Sequence, residues 1–180
     1  IFEKAEGDLV GFVKNGDFSS LKGTEYRFSK ENDIIPIFEI LSKLYNESGG
    51  LEELFGHNLD NKLQTVVDYF YANAPKTASQ GFYHMIPNPQ NGGAMKRMNM
   101  FLRWMVRKGP VDLGIWNFIQ PKDLLIPLDV HVARVSREMG LLTRKSNDFK
   151  AVIELTNQLK NICPEDPIKY DFAMFGFGVQ

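Results

Sequence analysis

The sequence predicts an all-α protein, on three observations. Apolar residues recur at intervals of three and four along most of the chain, which places them on one side of a helix. Capping residues such as Asp stand before several of these stretches, and glycine or proline follows them. The sequence contains no β-hairpin signature, no repeat and no low-complexity tract.

The length and composition fit one helical domain of 180 residues, which could divide into two lobes at about residues 1–75 and 76–180. A hydrophobic fraction of 43% with 24% charged residues is usual for a soluble globular protein, and no apolar stretch approaches the ~20 residues of a membrane span. The first residues lack the basic start and apolar core of a secretory signal. We therefore expect a cytoplasmic protein with no membrane partner, and because the chain opens on Ile1 rather than Met we expect an upstream segment.

Metal and cofactor sites are not expected. Cys163 is the only cysteine, which excludes an intrachain disulfide, a four-cysteine zinc site and a cysteine-ligated iron-sulfur cluster within this chain. The histidines at positions 57, 84 and 131 are far apart and lack the spacing of metal ligands.

Two packing helices are predicted in the first half of the chain. Asp33 can cap a helix over residues 34–47, with Pro36 in its first turn and Gly49 at its end. Asp60 can cap a second, whose apolar face comprises Leu63, Val66, Val67 and Phe70. Residues 78–93 contain two prolines and three glycines, so we expect a loop or hairpin there.

An amphipathic, basic helix is predicted over residues 94–108. Its apolar side comprises Met95, Met98, Phe101, Leu102, Met105 and Val106. A narrow stripe on the other side comprises Lys96, Arg103 and Arg107. The connection that follows could contain a short helix at residues 111–119.

Three further helices are predicted. The first begins at Asp129, with Val132, Val135 and Met139 facing inward and a glycine stop at Gly140. Another extends to residue 162 from a cap at Ser146 or Asn147, and the last begins at the Asp166-Pro167 signal.

Positive charge is concentrated in the middle of the chain. Residues 94–145 contain ten basic and four acidic side chains, a net charge of +6, whereas the whole chain carries −1. Lys and Arg clustered on one face are typical of a surface that binds nucleic-acid phosphates. A set of solvated helix faces explains the same charges equally well.

Lys96 and Asp129 are the candidate chemical pair. Gly92 and Gly93 stand shortly before Lys96, with two residues between Gly93 and the lysine. Glycines at a helix N-terminus let backbone amides approach a phosphate closely. The helix after Lys96 carries the chain about 20 Å away at 1.5 Å per residue, and the nineteen residues 110–128 are enough to return it. The starts of the two helices can therefore meet.

Three segments carry a family resemblance: NGGAMKRMNMFLRWMVRKGPVDLGIW, LLIPLDVHVARVSREMGLLTRK and PEDPIKYDFAMFGFGV. Together they resemble a family of mostly bacterial proteins known as a domain of unknown function, over residues 11–179. That family is similar to the helix-hairpin-helix DNA glycosylases, most closely to the archaeal 8-oxoguanine type. The resemblance implies a glycosylase-like helical fold with further helices upstream.

Two local matches carry the glycosylase resemblance. P-L-D-V-H-V resembles the segment that holds the essential aspartate of those enzymes, and Asp129 takes its position. G-G-A-M-K-R resembles the hairpin with the catalytic lysine, and Lys96 takes its position, although Ala94 stands where the second glycine is usual. The long interval between the two residues resembles the archaeal type. The iron-sulfur cysteines of the endonuclease III relatives are absent.

The resemblance implies a base-excision DNA glycosylase with abasic-site lyase activity, acting on an oxidised purine such as 8-oxoguanine. Lys96 would attack the sugar, and Asp129 would stabilise the positive charge that develops on it. The expected partner is double-stranded DNA with a damaged base, bound by a monomer associated with the nucleoid. Trp104 is a candidate for stacking on the extruded base. The candidate DNA contacts are Gly92, Gly93, Arg97, Arg103, Arg107, His131 and Arg134.

Plainer interpretations remain open. Asp129 is also a good helix cap, and Lys96 could be one more solvated cation. A first-turn histidine such as His131 often makes only local hydrogen bonds, and Trp104 could simply pack at a helix boundary. The alternative functions are a non-catalytic helix-hairpin-helix DNA-binding module and a helical protein-interaction domain.

Overall fold

A computed structural model describes residue 1, residues 3–56 and residues 62–179. The described part is mostly helical, and the all-α class is confirmed. The chain forms two compact units, Ile1–Asn88 and Pro89–Gln180. The boundary lies after the one we expected near residue 75, because a helix over residues 80–85 packs within the first unit.

Unit 1 is built around one long helix. Its described helices are α1 (Leu9–Asn15), α2 (Glu31–Ser48), α3 (Leu51–Gly56), α4 (Lys62–Ala72) and α5 (Gln80–Met85). Helix α2 contacts α1, α3 and α5, and α3 packs on α4. The buried face of α4 comprises the expected residues Leu63, Val66, Val67 and Phe70. The predicted cap at Asp60, like His57, lies outside the described residues.

Helix α2 begins earlier than the sequence led us to expect. Asp33 is its third residue and not its cap, and a carboxylate oxygen accepts a hydrogen bond from the Lys30 amide at 2.8 Å. Pro36 consequently lies in the second turn. The end is as predicted, since Gly49 adopts a left-handed conformation with φ of 79°.

Helix α5 was not predicted, because its six residues are too few to show a helical period. Ser79 caps it by accepting a hydrogen bond from the Gly81 amide at 2.9 Å. Ser79 also donates to the Asp33 carboxylate of α2, and this contact joins the start of α5 to α2 within unit 1. Phe82 at its centre is fully buried.

Unit 2 contains four helices and a small hairpin among its described residues. The helices are α6 (Lys96–Val106), α7 (Val130–Glu138), α8 (Phe149–Ile162) and α9 (Asp171–Gly178). Strands β1 (Lys108–Gly109) and β2 (Asp112–Leu113) pair in antiparallel register directly after α6. The most extensive helix packing in this unit is that of α7 on α9.

The expected short helix over residues 111–119 is wrong. The Gly114 amide donates to the Trp104 carbonyl at 3.1 Å, and the Trp116 amide donates to the Met105 carbonyl at 2.8 Å. These carbonyls belong to the last turn of α6, where no further turn of helix supplies donors. An extended strand beside α6 satisfies them, which a helix at this position would not.

Three helix boundaries in unit 2 differ from the predictions. Met139 lies just after α7 and is 62% exposed, so its expected inward position is wrong. Asp148 caps α8 in place of Ser146 or Asn147, and it accepts a hydrogen bond from the Ala151 amide. Helix α9 begins at Asp171 and not at the predicted Asp166-Pro167 signal. The segment before it forms tight turns, and the Asp166 side chain is held in an ion pair with Arg107.

Candidate active site

Lys96 and Asp129 meet at the N-termini of two helices. Lys96 is the first residue of α6, and Asp129 is the N-cap of α7. The Lys96 Nζ lies 2.9 Å from Asp129 Oδ2. The structure thus brings together the two residues that the sequence proposed as a pair.

The two oxygens of Asp129 have different partners. Oδ1 accepts hydrogen bonds from the amides of His131 (2.9 Å) and Val132 (2.8 Å), which is the capping arrangement, and Oδ2 is left for Lys96. Burial acts to raise the pKa of Asp129, but the hydrogen bonds from Lys96 and the two amides outweigh it and lower the pKa below its ordinary value. Asp129 is therefore an anion at neutral pH.

The Lys96 side chain remains accessible in this ion pair. It is 42% exposed, whereas that of Asp129 is 10% exposed. The Phe175 ring of α9 lies beside it, with the Nζ 6.0 Å from the ring centroid. The amine is therefore bounded by a carboxylate and an aromatic ring, on a side chain that is partly exposed to solvent.

The backbone that leads into Lys96 is unusual. Met95 precedes the helix in a left-handed conformation, with φ of 53°, and is almost fully buried. The amide of Asn99 donates to the Met95 carbonyl, and its side chain donates to the Ala94 carbonyl at 3.3 Å. Met95 is thus a buried, non-glycine residue in the left-handed region directly before Lys96.

A buried carboxylate, Asp171, lies at the start of α9. It is 5% exposed and forms an ion pair with Arg103 of α6. Burial raises the pKa of Asp171 to about 6, more than Arg103 lowers it, and the negative charge of Asp129 adds to the increase. The sequence analysis did not select Asp171.

Arg103 and Arg107 are not on an exposed stripe, contrary to the sequence prediction. Arg103 is buried and donates from Nε to Asp112 at 3.0 Å in addition to its pair with Asp171. Arg107 forms ion pairs with Asp112 at 2.6 Å and with Asp166 at 2.9 Å. Both guanidinium groups are neutralised inside unit 2, so they are poorly placed to contact phosphates.

His131 and Arg134 hold the end of α9. The His131 Nδ1 lies 2.9 Å from the Gly178 carbonyl, and an Arg134 guanidinium nitrogen donates to the same oxygen at 2.8 Å. Arg134 is also paired with Glu138. These contacts give both residues a structural function that local spacing alone does not reveal, and their contact with DNA remains a prediction.

The two glycines before Lys96 face open space. A β-carbon added to Gly92 or Gly93 would meet no atom within 4 Å. The Gly92 carbonyl accepts a hydrogen bond from the Phe149 amide at 2.8 Å, which fixes this segment to the start of α8. Arg97 is exposed on the adjoining turn of α6. This surface is therefore both ordered and approachable.

Trp104 is partly exposed but distant from the amine. It lies eight residues after Lys96 on the same helix, which corresponds to about 12 Å along the axis. A cavity of about 340 Å³ with a mixed polar and apolar lining adjoins the same end of α6 and is lined by Arg107, Lys108 and Trp116 among others. Lys96 does not line that cavity, so a base bound there would be out of its reach.

Comparison with known proteins gives one family. The family described as "Protein of unknown function (DUF2400)" matches residues 3–180. The chain belongs to this family. No curated protein and no solved structure matches the chain.

Metal and membrane sites were searched over the part of the chain that the structure describes. That part contains no group of three or more His, Cys, Asp or Glu side chains that could hold a metal ion. No helix there has the length and apolar character needed to cross a membrane.

Phe175 and Asp171 are the site residues that sequence reasoning missed. Both lie on α9, and both face α6, four residues apart. Residues at i and i+4 share a helix face, so the pattern D-F-A-M-F contained the signal. It could be interpreted only after α9 was known to pack beside Lys96.

Proposed function

We propose that this protein is a DNA glycosylase with abasic-site lyase activity, in which Lys96 is the nucleophile and Asp129 stabilises the charged sugar. The observation that supports this most strongly is the 2.9 Å pairing of the Lys96 amine with the Asp129 carboxylate. Local sequence motifs predict this chemistry for Lys96 and Asp129, which belong to separate helices. Their side chains meet at a position where Lys96 is accessible to solvent.

The chemistry requires one amine and one carboxylate. The Lys96 ammonium group first loses a proton, and its nitrogen then forms a bond to C1′ as the bond from C1′ to the base breaks; the base leaves with that electron pair and takes up a proton. Loss of one amine proton, with cleavage of the C1′–O4′ bond and protonation of O4′, gives a protonated imine. Removal of a C2′ proton then expels the 3′ phosphate and cuts the strand.

The state of Asp129 suits its proposed task. A carboxylate that is anionic at neutral pH and fixed by two backbone amides can stabilise positive charge on the sugar without reorganising. Lys96 must leave this carboxylate to reach C1′, and its exposed side chain leaves it free to do so.

The surface before Lys96 suits a phosphate. Gly92 and Gly93 present backbone without side-chain obstruction next to the N-terminus of α6, where the helix dipole favours an anion. Since the Arg103 and Arg107 side chains are largely buried whereas Arg97 is exposed, we propose that the DNA contacts are concentrated at Gly92, Gly93 and Arg97. Damaged purine, and 8-oxoguanine in particular, is proposed from the family resemblance alone.

Borohydride trapping tests the proposal, because only a Schiff base is captured as a covalent adduct between protein and DNA. Duplexes that contain 8-oxoguanine or an abasic site should be trapped by the wild-type protein and not by Lys96→Gln. Lys122→Gln is the matched control, since Lys122 is an exposed lysine of the same unit with no part in the site. Absence of an adduct across a broad panel of lesions would contradict the lyase activity.

An interaction domain is a second candidate, favoured by an apolar groove in unit 2. The groove has a volume of about 760 Å³ and lies between α7, α8 and α9. Its lining is apolar except for Glu138 and the Tyr170 hydroxyl, and it includes the exposed side chains of Met139, Ile162 and Phe177. Binding to duplex DNA that weakens steeply with salt supports the first proposal, and its absence supports this one.

A further inference from the structure

Lys96 and three neighbouring residues form a closed ring of contacts that involves three helices. Lys96 pairs with Asp129, and Asp129 accepts from the His131 amide. The His131 ring contacts the Phe175 ring edge to face, with centroids 5.7 Å apart. Phe175 closes the ring, because Nζ lies 6.0 Å from its centroid.

Helix α9, which supplies Phe175, is fixed at both ends. Asp171 in its first turn is held by Arg103 of α6. The Gly178 carbonyl in its last turn is held by His131 and Arg134 of α7. Phe175 lies between these attachments, which place its backbone beside α6 and α7.

The close approach at Gly178 supports this view of α9. A β-carbon there would lie 2.8 Å from the His131 Cβ and 3.1 Å from its carbonyl oxygen. Contacts this short would force the helices apart, and only glycine permits the observed spacing. The end of α9 is therefore held against the residue that also supports the Phe175 ring.

We infer that Phe175 is a positioning residue for Lys96: its ring retains the amine beside Asp129 and orients it when the amine leaves the carboxylate. The inference deepens the proposed function and rests on it for its catalytic consequence. An aromatic face attracts an ammonium group without forming a hydrogen bond. It therefore offers the amine a second place within the site that leaves the Asp129 carboxylate free for the sugar.

Labelling of lysines measures this positioning without DNA. A short pulse of an acylating reagent, followed by mass spectrometry, gives the modification rate of Lys96 relative to Lys108 and Lys122 in the same molecule. Phe175→Leu should raise the relative rate of Lys96 about fivefold, because the ring no longer holds the amine beside Asp129. Phe175→Tyr keeps an aromatic face and should restore the wild-type rate.

Trapping with an abasic duplex gives the catalytic consequence. Phe175→Leu should lower the single-turnover rate by about fivefold with little change in DNA affinity, and Phe175→Tyr should retain it. Phe172→Leu is the matched control, since Phe172 is an exposed phenylalanine of the same helix. It should alter neither measurement.

The two measurements separate the inference from the proposed function. If labelling of Lys96 responds to Phe175→Leu but the wild-type protein traps no DNA, Phe175 positions the amine and the glycosylase proposal fails. If the relative labelling of Lys96 is unchanged in Phe175→Leu, the inference is wrong, whatever the trapping shows. Phe175 is 39% exposed, so replacement by leucine leaves most of the core untouched.

Discussion

Lys96 and Asp129 lie 33 residues apart in the sequence, and their side chains are joined by a 2.9 Å contact at two helix N-termini. The aspartate has two functions in this contact. One oxygen caps α7, and the other binds the amine. Substitutions can separate the two functions, because capping requires only a hydrogen-bond acceptor whereas the proposed chemistry requires a negative charge.

Asp129→Asn should retain stability and lose activity. Asparagine caps helices about as well as aspartate, so its cost should remain below about 1 kcal/mol, whereas Asp129→Ala should cost about 1–2 kcal/mol. Both should lower excision by roughly 100-fold or more if the carboxylate stabilises the sugar. Urea unfolding and single-turnover excision provide the two measurements.

The matched control is Asp148, which caps α8 and pairs with Arg144 as Asp129 caps α7 and pairs with Lys96. Asp148→Ala should lower stability by a similar amount and leave excision unchanged. Equal loss of excision in the Asp148 and Asp129 variants would show that capping, and not the carboxylate at position 129, is what the activity requires.

Stability should depend on pH through Asp171. Burial raises the pKa of Asp171 in the folded protein to about 6, against 3.8 ordinarily. The folded state therefore binds the proton more tightly, and the stability gained from it is complete below about pH 4 and is lost as the pH rises through 6. The loss should be up to about 3 kcal/mol, since each unit of difference between the folded and ordinary pKa corresponds to about 1.4 kcal/mol.

Comparison with Asp171→Asn isolates this effect. Asparagine does not titrate, so the unfolding free energy of the wild type minus that of the variant should fall between pH 4 and 6.5 and then level off. Urea titrations at four or five pH values would measure the difference. A difference that is constant over this range would contradict a raised pKa for Asp171.

Arg103→Met should be strongly destabilising. The substitution leaves the buried carboxylates of Asp112 and Asp171 without their shared cation, and breaking a buried pair in this way costs about 3–5 kcal/mol. Lys122→Met, at an exposed position, should cost less than about 0.5 kcal/mol. If Arg103→Met were equally mild, the pairs would contribute little to holding α9 against α6.

Two glycines of α9 should respond in opposite directions. Gly178→Ala would place a β-carbon against His131 and should cost about 1–3 kcal/mol. Gly176→Ala meets no atom within 4 Å and should stabilise the helix by up to about 1 kcal/mol, because alanine is the better helix former. Thermal unfolding of both variants tests the close packing of α9 on α7.

The fold was predictable where a helix is long. The apolar period identified α2, α4, α6 and α8 to within a few residues, since the burial of each helix follows its own sequence. The short elements were not predictable. Helix α5 depends on Ser79 reaching Asp33, which is 46 residues earlier, and the extended segment after α6 depends on carbonyls that the end of that helix leaves unpaired.

The charge pattern was the least reliable guide. Residues 94–145 carry a net charge of +6, but acids beyond this range also pair with its arginines: Asp148 with Arg144, Asp166 with Arg107 and Asp171 with Arg103. A count along the sequence cannot show that Asp166 and Asp171 fold back onto Arg107 and Arg103. Local motifs were the better guide, because P-L-D-V-H-V encodes its own helix cap at Asp129.

The attachment of α9 to α6 has a consequence for the order of events during synthesis. Asp171 is 68 residues beyond Arg103, and Phe175 is further from Lys96 still. A chain that leaves the ribosome N-terminus first can form α6 and α7 while nothing yet flanks the lysine on the side of α9. The Phe175 ring can therefore reach the Lys96 amine only when residues 171–178 have emerged, so a product truncated before them would contain both Lys96 and Asp129 but not the ring beside the amine.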